Sequence, residues 1–371
     1  MRAEAQISHW QVTAYIVSLI LPTGILFVPS IAAQSAGPDA WASLLVALPC
    51  GLLVAGVASA LASRFPDETV VEYAPKILGK FLGKAVGFIY AFYFYYVAYY
   101  VQRQFAELMS SAYLVKTPEW VLIVVFTVIA CYALYLGIEP LARTNSIILA
   151  ILLVSITIMC LFVIKDVHLD NFTPVLAVPV GRIVFGALAP SSWFTECAVI
   201  LMLVPFLADK KKAARATAYA VVITFFFMFL VTICAIGVFG SDVVARMVFP
   251  TFSLARTTRF ELVAMFDRID VLFLMVWVAG MYFKLITFFY VGTLAFAQLF
   301  GLPSYRTLII PGGILLTVLS LNSWNNMTEL LEFSGLVFPP SLIFVNFFLT
   351  VLLFLLSFRN YPTAQREVKH D

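Results

Sequence analysis

The chain has 371 residues, of which 63% are hydrophobic and 12% charged, and its formal net charge is +3. Soluble domains carry about 25% charged and about 45–50% apolar residues, and the mean hydropathy of +1.00 indicates that the apolar excess runs through the whole chain. These values exclude a set of soluble domains, and the small net charge excludes the basic field of a nucleic-acid-binding protein. The composition is that of a polytopic helical membrane protein.

Apolar segments recur along the whole chain, and a transmembrane helix needs roughly 20 mostly apolar residues. None of the segments shows the period-2 alternation of a membrane strand. The first run follows Arg2 as a signal peptide would, but it continues to Ala33 and many similar runs follow, so we interpret it as a span. The ten predicted spans are 10–33, 41–63, 85–113, 119–137, 143–164, 182–207, 215–240, 269–299, 306–321 and 335–357.

The positions of Lys and Arg predict that both termini are cytoplasmic. In that orientation 14 of these residues lie in inner segments and 7 in outer ones, as the positive-inside rule requires. The basic run from Lys210 to Lys212 fits this topology signal better than the alternative, a patch that binds membrane lipid.

The spans predict a single permease-like domain built from two repeats. Repeat one covers about 10–164 and repeat two about 182–357, followed by a short cytoplasmic tail, 358–371. Residues 66–84 have the pattern of a short amphipathic helix between spans two and three. The outer loop 241–268 is long enough to hold helices of its own and to cap a site.

Spans one and six occupy equivalent positions in the two repeats, and both contain helix breakers. Span one has Pro22, Gly24 and Pro29, and span six has Pro190 followed by two serines. Proline removes a backbone donor, and unpaired backbone at membrane depth is tolerated only where it lines a cavity. Two discontinuous helices at matched positions predict a binding site near the membrane midplane. A pair of ordinary proline kinks is the alternative.

The two predicted breaks offer complementary groups to a ligand. A half-helix beginning near Gly24 and Ile25 would present N–H groups and a positive dipole end to an anion such as a carboxylate. Carbonyls freed around Pro190 would accept hydrogen bonds from an ammonium group. The residues of spans one and six assigned to the ligand site are Thr23, Gly24, Ile25, Ser191, Ser192 and Trp193.

Four charged residues fall well inside predicted spans, namely Arg103, Glu107, Glu196 and Lys284. Each costs roughly 2.5–3.5 kcal/mol at the bilayer centre, so each needs a partner or water. Arg103 and Glu107 are one helical turn apart and can pair, whereas Lys284 has no partner at i±3 or i±4. Glu107, Glu196 and Lys284 are candidates for ion or proton coupling. Interhelical salt bridges and snorkelling side chains are the structural alternatives.

Neighbours of these charges on the same helix faces are further candidates for ligand contact. Tyr96 and Tyr99 share a face of span three with Arg103, and Thr287 shares a face of span eight with Lys284. Tyrosines in such positions more often serve packing. The pocket would then be bounded by spans one, three, six and eight.

The sequence carries no sign of a metal site, a cofactor site or an enzyme. The five cysteines lie in apolar runs without a C-x-x-C pair, which is typical of small buried hydrophobic residues. The three histidines are far apart and have no second ligand at helical spacing. Neither H-E-x-x-H nor G-x-S-x-G occurs.

Several short features follow one another over nearly the whole chain in an order that resembles a known family. They are Gly24-Ile25-Leu26 with Pro29, Asp39-Ala40-Trp41, Arg103-x-x-x-Glu107, Glu196 before Pro205 and a basic loop, and Asp267-Arg268-Ile269-Asp270 before Trp277 and Lys284. In order and spacing, the chain resembles the endospore germination permeases, the permease-like B subunits of nutrient germinant receptors. These belong to the amino acid–polyamine–organocation superfamily.

This resemblance implies a LeuT-like bundle with a five-plus-five inverted repeat in the inner membrane of the spore. It also implies A- and C-type receptor subunits as partners and a small nutrient, typically an amino acid, as ligand. Relatives often have glycine where this chain has Pro22, which removes residue 22 as a donor to a carboxylate. A proton-coupled amino-acid transporter and a nutrient-gated ion-conducting pore remain as alternative functions.

Overall fold

Helices account for most of the structure, a computed structural model that describes residues 6–257 and 269–360. In chain order they are α1 (His9–Ala36), α2 (Ala40–Arg64), α3 (Val70–Leu78), α4 (Lys80–Ala112), α5 (Glu119–Leu136), α6 (Ile138–Val163), α7 (Val180–Gly186), α8 (Leu188–Thr195), α9 (Ile200–Leu203), α10 (Ala213–Phe239), α11 (Ser241–Val244), α12 (Pro250–Thr257), α13 (Ile269–Leu299), α14 (Ile309–Leu321), α15 (Met327–Leu336), α16 (Phe338–Ile343) and α17 (Thr350–Asn360). Strand pairing in these ranges is limited to one parallel bridge between Ile7 and Leu207.

The ten predicted spans all correspond to helical segments. Eight apolar helical stretches in the described ranges are long enough to cross a membrane, and the first of them, His9–Arg64, contains both α1 and α2. A 3-10 turn, Gly37–Asp39, separates these two helices. The remaining span, α14, has 13 residues and is the shortest, as predicted.

Because successive spans run in opposite directions, the connecting segments gather at two ends of the bundle. We call one the α3 end; it contains the start of α1, Gly137 between α5 and α6, and the 300–308 connection. We call the other the α12 end; it contains the 37–39 and 164–179 connections. At the α12 end the Asp39 carboxylate accepts backbone N–H groups from Leu176 at 2.7 Å and Val178 at 3.2 Å. These bonds fasten the 164–179 connection to the start of span two.

Span one differs from the prediction, because α1 continues without a gap from His9 to Ala36 with both prolines inside it. The N–H groups of Gly24 and Ile25 are therefore interior to a helix, where they bond to carbonyls four residues earlier. They are not the free donors that the sequence predicted. The effect of the prolines is to free backbone carbonyls, because a proline has no N–H to donate to the oxygen of residue i−4.

Span six is interrupted, as predicted, but Pro190, Ser191 and Ser192 lie inside α8, and the breaks fall on either side of that helix, at Ala187 and at Glu196–Val199. It consists of α7, α8, a 3-10 turn (Glu196–Val199), α9 and a second 3-10 turn (Val204–Phe206). The last span is also irregular, which the sequence did not predict. There α16 passes into a π-helix, Phe344–Leu349, before α17 begins.

The two predicted connecting regions both contain helices. Within 66–84, α3 has nine residues and begins with a capping box between Thr69 and Glu72, an arrangement that satisfies two backbone donors at a helix start. Within the predicted outer loop 241–268, the structure places α11 and α12, while residues 258–268 lie outside the described ranges.

Candidate functional site

A buried cluster of charged and polar groups lies where α1, span six and α13 meet. The Lys284 ammonium donates to both carboxylate oxygens of Glu196, at 2.8 Å and 2.7 Å, and to Thr23 Oγ1 at 2.7 Å. Both charged side chains have no exposed surface. Lys284 therefore has a partner, but on another helix and 88 residues away in sequence.

Two tryptophan indoles complete the polar bonding around this cluster. Trp193 Nε1 donates to Thr23 Oγ1 at 3.0 Å, so that one hydroxyl accepts from span six and from α13 at once. Trp277 Nε1 donates to the carbonyl of Pro22 at 2.8 Å. The section of α1 that the sequence marked as broken is thus the section that receives donors from both neighbouring helices.

One carbonyl that a proline frees on α1 has a partner at the α12 end. Pro29 cannot donate to the Ile25 oxygen four residues earlier, and that oxygen accepts from the Thr251 hydroxyl of α12. The ring of Phe252, the next residue, packs edge-on against Trp277 with centroids 5.1 Å apart. Helix α12 therefore covers the cluster from its own end of the bundle.

Of the two predicted serines of span six, Ser192 bonds within its own helix, whereas the Ser191 side chain interacts with Cys50 of α2. Ser192 Oγ donates to Ala189 O at 2.7 Å, and the Ser192 carbonyl accepts from Thr195 Oγ1 at 2.6 Å. Thr287 is similar, because its hydroxyl donates to Phe283 O at 2.8 Å one turn earlier on α13. Ser191 and Ser192 are both buried and lie within five residues of Glu196.

Tyr96 contacts the last span and Tyr99 contacts Trp324 in the 322–326 connection, and neither contacts Lys284. The Tyr96 hydroxyl pairs with Ser341 Oγ at 3.0 Å, and the Tyr99 ring packs near Trp324 with centroids 6.1 Å apart. They are thus not gathered with Thr23, although the sequence grouped them in one pocket.

A different tyrosine of α4 connects to the cluster through the π-helix. Asn346 donates to the Tyr93 hydroxyl at 2.6 Å and to Thr195 Oγ1 at 3.4 Å. Thr195 directly precedes Glu196, so this bridge fixes the interrupted part of span six against α4 and the last span. π-helical turns often mark functional positions, and Asn346 was a missed residue whose signal was an amide in an otherwise apolar run.

Arg103 and Glu107 form the expected pair, at 3.1 Å, as part of a larger group. Arg103 also pairs with Glu119, the first residue of α5, at 2.9 Å. The group lies in the part of α4 nearest the α12 end, where it joins α4 to α5. Glu107 is therefore held in an ion-pair group separate from that of Lys284.

A cavity of about 590 Å³ opens at the α3 end. It extends along α13 to Tyr290, which lies six residues from Lys284. Its lining includes three acidic side chains and one basic one, namely Asp67, Glu72, Glu139 and Arg306. The two cavities under the 245–249 connection at the α12 end are smaller, about 200 and 100 Å³. The cluster is therefore approached by more open space from the α3 end.

Comparison with known families identifies the group to which this bundle belongs. The family model described as spore germination protein matches residues 6–328. The chain is a member of that family. Spore germination protein KB of Bacillus subtilis (strain 168) is 27% identical over 368 residues, which cover 98% of this chain and 97% of the relative. Spore germination protein YndE of the same organism is 26% identical over 299 residues, 80% of this chain and 82% of the relative.

Solved transporter structures share the fold of this spore germination protein. MhsT in complex with L-phenylalanine superposes with a TM-score of 0.67 over 96% of this chain and 99% of its own, at 10% identity. A Na⁺-coupled sialic acid symporter gives 0.64 over 95% and 91%, at 13% identity. The predicted LeuT-like architecture is confirmed, and at these identities the likeness establishes the fold alone.

Proposed function

We propose that the protein is a germinant-receptor subunit that binds a small nutrient, an amino acid, between spans one, three, six and eight and thereby signals germination. Family membership and the names of the relatives support the germination role. The observation that supports an amino acid as the ligand is the buried pair of Lys284 and Glu196, which places one positive and one negative charge next to each other.

A zwitterionic amino acid can replace this internal ion pair without leaving a buried charge unpaired. Its carboxylate would bind the Lys284 ammonium and its ammonium would bind the Glu196 carboxylate, with Thr23 between them. An unpaired buried charge is strongly unfavourable, so a ligand that carries only one of the two charges would bind less well. Separating Lys284 from Glu196 changes how α13 and span six are joined, and nutrient binding would favour the bundle conformation in which they are apart.

The role of a germinant-receptor subunit also implies a membrane orientation and protein partners. The α3 end, with most of the Lys and Arg residues, would face the cytoplasm, and the α12 end would face the outer side of the spore's inner membrane. A- and C-type receptor subunits would be the protein partners. The bundle presents exposed apolar side chains such as Val128, Ile147 and Phe226, which membrane lipid or a partner subunit would cover.

Spores provide the direct test of the germination role. Spores that lack the gene, with and without a complementing copy, would be exposed to a panel of single nutrients while dipicolinate release is recorded. We expect the response to one nutrient or one class of nutrients to disappear and to return with the complementing copy. An unchanged response to every nutrient would contradict the proposal.

A proton-coupled amino-acid transporter is the second candidate, and the cavity at the α3 end favours it. That cavity of about 590 Å³ approaches the cluster from one side, as a substrate exit would. Uptake of labelled amino acid by liposomes that contain only this chain would support transport. A requirement for the other receptor subunits would support the receptor. A nutrient-gated pore would show conductance that depends on oligomer formation.

Thr23 provides a test of the ligand site with little change in volume. The variant Thr23→Val removes the acceptor shared by Lys284 and Trp193 and leaves two buried donors short of one bond each, which costs about 1–3 kcal/mol per group. We expect Thr23→Val to lose the nutrient response at normal protein level, and Thr23→Ser, which keeps the hydroxyl, to retain most of it. Dose–response curves of dipicolinate release measure both, and a full response in the valine variant would refute this site.

A further inference from the structure

Asn145 on α6 is a fully buried amide whose bonding the rest of the fold does not account for. The side chain has no exposed surface, and neither its Nδ2 nor its Oδ1 has a hydrogen-bond partner within the described chain. Buried polar atoms in native proteins are nearly always bonded to protein, ion or ordered water. An amide with both a donor and an acceptor available therefore points to a small bound molecule.

Contacts on either side of Asn145 fix where it lies between α6 and its neighbours. Seven residues before it, the Ile138 carbonyl accepts from the Tyr15 hydroxyl of α1 at 3.2 Å. Seven residues after it, Leu152 packs against Gly280 of α13, and Pro22 of α1 packs against the same glycine. A Cβ atom added to Gly280 would lie 3.4 Å from Leu152 and 3.0 Å from Pro22. Residues seven apart share a helix face, so Asn145 lies between these contacts and on the side of α6 that packs against α1 and α13.

Two further polar residues reach the same level from the other two helices. On α1, Ser18 is three residues after Tyr15 and four before Pro22, and Pro22 leaves the Ser18 carbonyl without its helical donor. On α13, Thr287 is seven residues from Gly280. All three side chains are buried. The junction of α1, α6 and α13 thus holds an amide, a hydroxyl beside a freed carbonyl, and a second hydroxyl.

We propose that this junction binds ordered water, held by Asn145 and shared with Ser18 and Thr287. Water fits because it can accept from the amide Nδ2 and donate to Oδ1 or to the Ser18 carbonyl. A metal ion fits less well, because it cannot accept a hydrogen bond from Nδ2. It would also lie one helical turn from Lys284, whose positive charge would repel it. Roughly three bonds per buried water are usual, and the junction supplies at least that number.

The bound water continues the cavity at the α3 end toward the Lys284 cluster. The cavity is lined by Ile138 and Tyr290. Asn145 lies two turns beyond Ile138, about 10 Å along the helix, and Thr287 lies one turn beyond Tyr290. Lys284 is one further turn along α13. Its ammonium exchanges Glu196 for the nutrient carboxylate when a nutrient binds, and water arriving by this route would help to solvate the ammonium during that exchange. This role rests on the proposed function, whereas the water site itself does not.

A crystal structure of the full chain at about 2 Å without nutrient tests the site directly. We expect an ordered water within about 3.2 Å of both amide atoms of Asn145, its loss in Asn145→Leu, and its retention in Asn145→Ser. An Asn145 amide bonded only to protein groups in dry packing would overturn the proposal. Because no nutrient is present, this result does not depend on whether the protein is a germinant receptor.

Nutrient binding by the purified chain tests the role of the water. We expect Asn145→Leu to weaken binding of the active nutrient about tenfold. Thr144→Leu, a neighbouring change on the exposed side of α6, should leave binding unchanged. Unchanged affinity in Asn145→Leu, alongside loss of the ordered water, would overturn the role in ligand binding. A normal germination response in spores without the gene would instead refute the proposed function and leave the water site in place.

Discussion

Replacing Lys284 by methionine should abolish the nutrient response and also destabilise the bundle. Methionine approximates the length of the lysine stem but leaves the fully buried Glu196 carboxylate without its cation. Removing one partner of a buried ion pair costs about 3–5 kcal/mol, because the other charge stays buried and uncompensated. Thermal unfolding of the purified protein and dipicolinate release from spores measure the two effects separately.

A second substitution separates the structural effect of Lys284 from its effect on ligand binding. In Lys284→Met combined with Glu196→Gln no buried charge remains, so we expect stability to return toward that of the unmodified protein while the nutrient response stays absent. Lys84→Met, at an exposed position of α4, controls for the loss of a lysine as such. A normal nutrient response in the double variant would show that the ligand does not use these charges.

The span pattern was predictable because membrane helices depend on local composition. Each predicted span rests on a predominantly apolar run, and a run of roughly 20 such residues is what a transmembrane helix needs. An interruption of span six was also predicted, from Pro190 and its neighbours, but the breaks fall at the two ends of α8, the helix that contains Pro190. In α1, however, Pro22 and Pro29 remain inside one helix. Hydrogen bonds from Trp277 and Thr251 to α1 carbonyls stabilise that section, and no local pattern shows them.

The ion pair within the site could not be predicted from residue spacing, for a different reason. Lys284 and Glu196 were both recognised as costly charges, but their contact joins α13 to span six over 88 residues. Spacing rules apply within one helix and cannot say which helices face each other. For the same reason, the sequence did not reveal that Arg103 pairs with Glu119 or that the Tyr96 hydroxyl pairs with Ser341 of the last span. Asn145 and Asn346 were overlooked because an uncharged amide changes the composition of a span very little.

Arg103 should be the second position at which a single substitution has a large effect on stability. Its side chain is 6% exposed and its guanidinium pairs with Glu107 and Glu119, so Arg103→Leu would leave two carboxylates facing each other. Breaking a buried pair costs about 3–5 kcal/mol. We expect a value near the lower limit, because the Glu119 side chain is 32% exposed and can turn toward water. Thermal unfolding of the purified protein measures this loss.

A pair with the same spacing on α6 provides the control for Arg103. Arg143 and Glu139 are also four residues apart and 2.5 Å from each other, but their side chains are 70% and 37% exposed. Exposed pairs of this kind contribute about 0.3–0.5 kcal/mol, so Arg143→Leu should be nearly neutral. Equal losses in Arg103→Leu and Arg143→Leu would show that burial adds nothing at Arg103. If Arg103→Leu lowers stability but leaves nutrient affinity intact, Glu107 belongs to the scaffold that joins α4 to α5, and coupling must then depend on Glu196 and Lys284.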